Sequence, residues 1–279
     1  MSNNQIFSLK RMAALLKFDF ASKRNSLLTG LLALGGILVA ITVLCAVFNA
    51  NSLRYYNSQD DLKTYNHIIA MTLLGWMTAG LFIIGCITAS NSFKTMSDPK
   101  SALASLMLPA SQFEKFLCRW IITVPGFILL YFLVAVFADW VRVAFTSIAY
   151  GVDVRPLDWC NILFHPSEAG LFKSASVMIL SLFVFAQSFY FLGSIVWARH
   201  SLIKTTASLF VIYCIYLWAW FLVIDSYHTA GYYIESGPFG IDDKDLTVNL
   251  FICCTLAIAG FNYILSFIRL RESEIIKRW

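Results

Sequence analysis

The sequence predicts an all-α integral membrane protein with six transmembrane helices. Of its 279 residues, 59% are hydrophobic and 13% are charged, which is about half the charged fraction of a typical soluble chain. The charged residues gather between long apolar stretches, and a helix needs about 20 apolar residues to cross a bilayer. These observations argue against a soluble enzyme, a disordered protein and a nucleic-acid binder. Six stretches without Asp, Glu, Lys or Arg are long enough, or nearly so: 27–48, 68–90, 120–138, 175–198, 205–224 and 249–268.

Each stretch is interpreted as a helix because a backbone in lipid must satisfy its own hydrogen bonds. Barrel strands give runs of about ten residues with alternating apolar side chains, whereas these stretches are longer and apolar on every face. The first stretch is interpreted as a retained helix. A cleaved signal peptide has an apolar region of about 7–15 residues, but this one covers 27–48 and follows a long leader that includes Asp19.

The distribution of positive charge predicts that both termini are cytoplasmic, because cytoplasmic loops are enriched in Lys and Arg. With the N-terminus inside, 15 of the 21 Lys and Arg residues fall on the cytoplasmic side and 6 on the outer side, although the outer loops are longer. The whole chain, 1–279, is then one transmembrane domain with a cytoplasmic tail over 269–279. A long outer loop is expected over 139–174.

The first 26 residues predict a basic amphipathic helix that lies in the membrane surface. Lys10, Lys17 and Arg24 recur every seven residues and therefore share one side of a helix. Apolar residues gather on an adjoining arc, which is typical of an interfacial helix. The alternative is a positively charged flank of the first span with no further role. The apolar arc consists of Leu9, Met12, Leu16 and Phe20.

The loop between the second and third spans, 91–119, carries strong local signals for helices. Asp98 and Pro99 predict a helix start, since Asp is a favoured N-cap and proline fits the first helical position. These residues begin a short amphipathic helix that is expected over 98–108. Three apolar residues follow at helical spacing and form one stripe: Leu103, Leu106 and Met107.

A proline corner separates this helix from a second one. The residue before a proline is disfavoured in the α conformation, so the first helix is expected to end at Leu108, before Pro109. Ser111 and Glu114 have the spacing of a capping box, in which each side chain satisfies the backbone N–H of the other residue. A second helix is predicted from there, through Lys115, into the third span. The loop is thus expected to be rigid, and the alternative is an ordinary capped connector.

The sequence contains no phosphate-binding Gly-rich loop, no His-Glu-x-x-His and no Gly-x-Ser-x-Gly. We therefore expect no catalytic residue, metal site or cofactor in this chain. Gln187 in the fourth span and Asn262 in the sixth are the deepest amides. Their expected use is interhelical hydrogen bonding, and contact with a transported substrate is the alternative. Asp139 and Arg142, three residues apart, are expected to pair on the surface of the third helix.

The order of spans and the loop sequence LMLPASQFEKF at 106–116 resemble the membrane subunit of an ABC-2 type transporter. The resemblance in topology covers the whole chain, from the amphipathic helix before the first span to the helix–Pro–helix loop after the second. The resemblance in motif covers only 106–116. Just upstream, the Glu-rich, Gly-Thr-Leu pattern common in the family is replaced by SDPKSAL at 97–103.

The resemblance implies a division of labour between subunits. This chain would be a permease in a bacterial plasma (inner) membrane, with an N-terminal elbow helix, and would pair with a second permease chain, identical or related. Two separate ATPase subunits would bind ATP and magnesium and drive the permease between inward-open and outward-open states, with export as the implied direction. The competing interpretation is a six-span scaffold, or another membrane-embedded protein, without transport activity.

The resemblance also implies roles for individual residues. The loop after the second span contains the family's coupling helix, which touches the ATPase, and it corresponds here to 98–108, which we call the coupling segment. Gln187 and Asn262 would be polar residues of the translocation path if they contact substrate. The residues implied in coupling are Asp98, Pro99, Leu103, Leu106, Leu108, Pro109, Ser111, Glu114 and Lys115.

Overall fold

The computed structural model describes residues 8–22, 24–53, 59–93, 111–151, 154–157, 159, 171–197, 200–229 and 244–276. Among these residues there is no strand, and the all-α prediction is confirmed for this part of the chain. A π-helical turn, Ile122–Gly126, joins the fourth helix to the fifth. The helices are α1 (Leu9–Ser22), α2 (Arg24–Leu53), α3 (Gln59–Ser90), α4 (Gln112–Ile121), α5 (Phe127–Tyr150), α6 (Leu171–Val196), α7 (Ser201–Thr229) and α8 (Lys244–Ile276).

Among the described residues, six helical segments are long and apolar enough to cross a membrane, in agreement with the predicted number of spans. The helices continue beyond most of the predicted ends, because an apolar window marks only the part of a helix that suits lipid. α8, for example, continues from the predicted end at 268 to Ile276. The segments are Arg24–Asn49, Tyr65–Ser90, Gln112–Tyr150, Ser176–Val196, Ser201–Ala219 and Val248–Glu272.

The third span contains a proline that the helix accommodates by widening one turn. Pro125 lacks a backbone N–H, and its ring would clash with the carbonyl group one turn earlier in a regular α-helix. The π-helical turn Ile122–Gly126 relieves that clash. A Cβ atom at Gly126 would lie 2.9 Å from the Ile121 carbonyl oxygen. Glycine at 126 therefore allows the helix to pass through the proline without a break.

The predicted outer loop over 139–174 is wrong in its first part, because α5 continues to Tyr150. The helix ends at Gly151, which has a positive φ of 65° and donates its N–H to the Ser147 carbonyl oxygen at 3.0 Å. The predicted span, 120–138, ends just before the first charged residue, Asp139. Asp139 and Arg142 neutralise each other within the helix, so these charges do not mark its end.

The chain forms two compact units, Met1–Gly85 with Pro109–Ser167 and Cys86–Leu108 with Glu168–Trp279. In the first unit α5 packs on α2, where the Thr42 hydroxyl donates to the Ala138 carbonyl oxygen at 3.3 Å. The Tyr131 hydroxyl links α5 to α3 by donating to the Met77 carbonyl oxygen at 2.7 Å. In the second unit α6 packs against both α7 and α8.

We expect a methyl group at Gly193 to force α6 and α7 apart. A Cβ atom at Gly193 would overlap the side chain of Thr205, which is itself buried. Overpacking of this kind costs about 1–3 kcal/mol, so Gly193→Ala should lower the melting temperature of the purified chain in detergent. Gly260→Ala is the matched control, because a Cβ atom there meets nothing within 4 Å. A Gly193→Ala variant as stable as Gly260→Ala would contradict the close packing of these helices.

Candidate functional site

The start of the third span has the predicted capping box. The Ser111 hydroxyl accepts the Glu114 N–H at 3.2 Å, and the Glu114 carboxylate accepts the Ser111 N–H at 3.0 Å. This exchange fixes the direction in which α4 leaves the preceding loop. Lys115 is half-buried on the first turn of α4. The other residues predicted to act in coupling lie outside the described residues: Asp98, Pro99, Leu103, Leu106, Leu108 and Pro109.

Glu114 also holds the N-terminus of α1. Its second carboxylate oxygen accepts the Ser8 N–H at 2.7 Å and lies 3.4 Å from a guanidinium nitrogen of Arg11. Ser8 begins α1, since its carbonyl oxygen accepts the Met12 N–H at 3.0 Å. One carboxylate therefore caps two helices, and Ser8, which it caps on α1, lies 106 positions before Glu114 in the sequence.

The electrostatics of helix ends explain why a carboxylate is buried at this position. Each helix N-terminus carries unpaired N–H groups and a partial positive charge of about half an elementary charge. Two such ends beside each other repel, and a carboxylate between them stabilises both. Glu114 is fully buried, and a buried charge is stable only when it is paired and hydrogen-bonded. Ser8, Ser111 and Arg11 supply that pairing.

α1 lies along α4 beyond this shared cap. The Cys118 thiol donates to the Met12 carbonyl oxygen at 3.7 Å, and Asp19 interacts electrostatically with Arg119. We call the contacts of α1 with α4 the α1–α4 junction. Met12 and Leu16 are half-buried, whereas Leu9 and Phe20 are exposed, so the structure divides the apolar arc that the sequence suggests.

A second charged cluster lies near the other end of the same helical segment. Arg142 Nε donates to an Asp139 carboxylate oxygen at 2.8 Å, and both side chains are buried. The predicted pairing is correct, but its predicted place on the helix surface is wrong. The physical reason is the segment after the helix: Leu157 donates its N–H to Asp139 at 2.7 Å, and Arg142 donates to the Arg155 carbonyl oxygen at 3.3 Å. The ion pair thus holds 154–157 against α5.

The two charged clusters lie too far apart to share one membrane depth. About 25 residues separate Glu114 from Asp139, or roughly 37 Å of helix at about 1.5 Å per residue. The hydrocarbon core of a bilayer is about 30 Å thick. The stretch between them is therefore long enough to cross the apolar core.

One of the two deep amides, Asn262, lies between α6 and α8. The side-chain amide of Asn262 donates to the Ser188 hydroxyl at 3.0 Å. The Ser266 hydroxyl donates to the backbone carbonyl oxygen of Asn262 at 2.7 Å. Asn262 therefore makes the interhelical hydrogen bond expected of it. Gln187 is fully buried on α6. Contact of either amide with a transported substrate stays a prediction.

Within the described ranges, no group of three or more His, Cys, Asp or Glu side chains has the geometry of a metal site. Comparisons of the chain with protein-family models, with curated proteins and with solved structures found no match.

Proposed function

We propose that this chain is the membrane-spanning permease subunit of an ATP-driven ABC transporter that works as an exporter. Two ATPase subunits bind ATP and magnesium, a second permease chain completes the path, and both termini of this chain face the cytoplasm of a bacterial cell. The observation that supports the proposal most directly is the α1–α4 junction. Its α4 side follows the coupling segment in the sequence and begins the third candidate span, and its α1 side precedes the first candidate span.

The junction suits the transmission of a push from an ATPase. Force on the coupling segment is delivered to Ser111, and Glu114 links that residue to α1. α1 ends at Ser22 and α2 begins at Arg24, so a displacement of α1 passes almost directly to the first span. The first and third spans are therefore expected to move together.

The free energy that the contacts of Glu114 contribute is of the same order as the free energy needed to shift a transporter between two states. A shift between two states from 1:99 to 99:1 requires about 5.5 kcal/mol of differential binding. Hydrogen bonds to charged groups contribute about 1.5–3 kcal/mol each, and Glu114 receives two backbone hydrogen bonds and one ion pair. The junction is then strong enough to hold while the helices of the path rearrange.

Copurification tests the proposal against the scaffold alternative. The tagged chain is purified in mild detergent from its own cells, and the bound proteins are assayed for ATP hydrolysis and identified by mass spectrometry. Recovery of an ATPase subunit supports the permease role. Recovery of the chain without any ATPase, at several detergent strengths, favours a six-span scaffold.

Thiol labelling tests the proposed orientation. A membrane-impermeant maleimide applied to intact cells should label Arg155→Cys above the wild-type background and should leave Lys10→Cys unlabelled until the cells are opened. Both parent residues are exposed, and opening the cells admits the reagent to the cytoplasmic side, so the gain of Lys10→Cys labelling on opening reports the side of the membrane. Labelling of Lys10→Cys in intact cells would place the junction on the outer side, where no cytoplasmic ATPase could reach it.

We expect a charge in the coupling segment to disconnect the ATPase without preventing insertion. Leu106→Asp or Leu108→Asp should reach the membrane in normal amounts, while the copurified ATP hydrolysis falls at least tenfold, which is about 1.4 kcal/mol of lost coupling. Leu106→Met and Leu108→Met are the controls, since methionine keeps the apolar surface. Wild-type hydrolysis by the aspartate variants would remove the coupling segment from the mechanism.

A further inference from the structure

We infer that the exposed side of α1 is a docking surface for anionic phospholipid head groups. The docked side of the helix is occupied by the α1–α4 junction, with Met12 and Leu16 half-buried. The other side exposes Lys10 and Lys17 beside the large apolar side chains of Leu9 and Phe20, and Phe18 is exposed as well, outside this group of four. We call these four residues the lipid-facing strip: Leu9, Lys10, Lys17 and Phe20.

The four residues of the strip form one continuous surface. At about 100° per residue, Leu9 and Phe20 lie within roughly 20° of each other, and so do Lys10 and Lys17. The apolar pair and the basic pair together cover an arc of about 100°. Leu9 is 67% exposed and Phe20 is 52% exposed, although both side chains are apolar and their exposure to water is unfavourable. Such an arrangement buries apolar side chains at the acyl boundary and places ammonium groups at the phosphates.

The position of α1 keeps this strip at a membrane boundary. α1 ends at Ser22, and the first candidate span begins at Arg24. On its docked side, α1 lies against α4, where the third candidate span begins. A 14-residue helix is only about 21 Å long. Its whole length therefore stays close to the ends of two spans.

The charge of the strip favours anionic over zwitterionic lipid. The acidic residues of the junction already interact with basic ones, Asp19 with Arg119 electrostatically and Glu114 with Arg11 through an ion pair. Lys10 and Lys17 lie on the opposite side, beside exposed apolar surface. A basic residue near an anionic membrane surface strengthens binding roughly fivefold. The two lysines together should give a preference for anionic lipid of about 25-fold.

The test measures lipid retained by the purified full-length chain in neutral detergent. Phosphatidylglycerol and phosphatidylcholine with the same acyl chains are titrated, and bound lipid is counted by native mass spectrometry. The wild-type chain should retain phosphatidylglycerol in preference to phosphatidylcholine. The double variant Lys10→Gln/Lys17→Gln should lose about 25-fold in affinity for phosphatidylglycerol and little for phosphatidylcholine. Phe20→Ser should weaken the binding of both lipids.

A control of equal charge separates this surface from general attraction. Lys204→Gln/Arg271→Gln removes two exposed basic residues outside α1 and should leave phosphatidylglycerol retention unchanged. Equal loss in the two double variants, or equal retention of both lipids by the wild-type chain, would overturn the proposal. Displacement of the lipid by soluble glycerol phosphate at the same concentration would also overturn the proposal. That result would mean that the site binds a phosphate group and makes no use of the acyl chains. None of these measurements depends on ATP-driven transport.

Discussion

Glu114→Ala is expected to release α1 from α4 and to destabilise the first unit. The Ser8 and Ser111 N–H groups lose their shared acceptor, and each buried donor left unpaired costs about 1–3 kcal/mol. We therefore expect the free energy of unfolding to fall by about 2–6 kcal/mol. Hydrogen–deuterium exchange should show faster exchange of the amides of 8–22, because the junction is where α1 packs against α4.

The exposed glutamate at the other end of the chain is the control for this variant. Glu272 pairs with Arg269 at 3.1 Å on the helix surface, and such exposed pairs contribute about 0–1 kcal/mol. Glu272→Ala should therefore leave both the melting temperature and the exchange of α1 unchanged. Glu114→Gln should be intermediate, because the amide keeps one acceptor oxygen and loses the charge. Equal stability of Glu114→Ala and Glu272→Ala would mean that the shared cap contributes little.

The sequence carries enough information for the spans and for local caps. Apolar stretches without charge predict all six spans, because lipid selects composition over about 20 consecutive residues. The capping box is equally predictable, since Ser111 and Glu114 are three residues apart and interact within one turn. Both features depend on neighbours in the sequence. Both features are confirmed in the described residues, whereas the coupling segment lies outside them and stays a prediction.

The contacts of Glu114 with α1 have no such local signal. Ser8 lies 106 residues away, and a serine that precedes a helix offers no sign of which carboxylate its N–H will meet. The apolar arc of α1 is misleading for a related reason. Helical periodicity places Leu9, Met12 and Phe20 on one arc, but packing on α4 covers only part of it. Two burial environments on one helix cannot be separated by periodicity alone.

The burial of the Asp139–Arg142 pair is a third feature that the sequence does not predict. Spacing of three residues predicts a local ion pair, and that pairing is present. Burial of the pair depends on 154–157, which returns to α5 and donates the Leu157 N–H to Asp139. Because the pair is buried within the helix, a prediction that ends the span before the first charged residue places that end too early. Tertiary contact therefore decides that the pair is buried, whereas the helix itself ends at Gly151.

Arg142→Met is expected to be among the most destabilising single changes in the chain. It leaves the Asp139 carboxylate buried without its cation, and loss of one partner of a buried pair costs about 3–5 kcal/mol. The measurement is the melting temperature of the purified chain in detergent. Arg269→Met is the matched control, because Arg269 and Glu272 have the same three-residue spacing but are exposed. It should cost less than about 1 kcal/mol.

The double variant Asp139→Asn/Arg142→Met separates the two roles of the pair. Asparagine removes the uncompensated charge and keeps an oxygen that can accept the Leu157 N–H. If the cost of Arg142→Met is that of a lone buried charge, the double variant should recover most of the lost stability, as replacement of both partners of a buried pair commonly does. If the guanidinium is needed mainly for its bond to the Arg155 carbonyl oxygen, the double variant stays as unstable as the single one. Equal stability of Arg142→Met and Arg269→Met would contradict both accounts, because burial would then carry no energetic consequence at this end of α5.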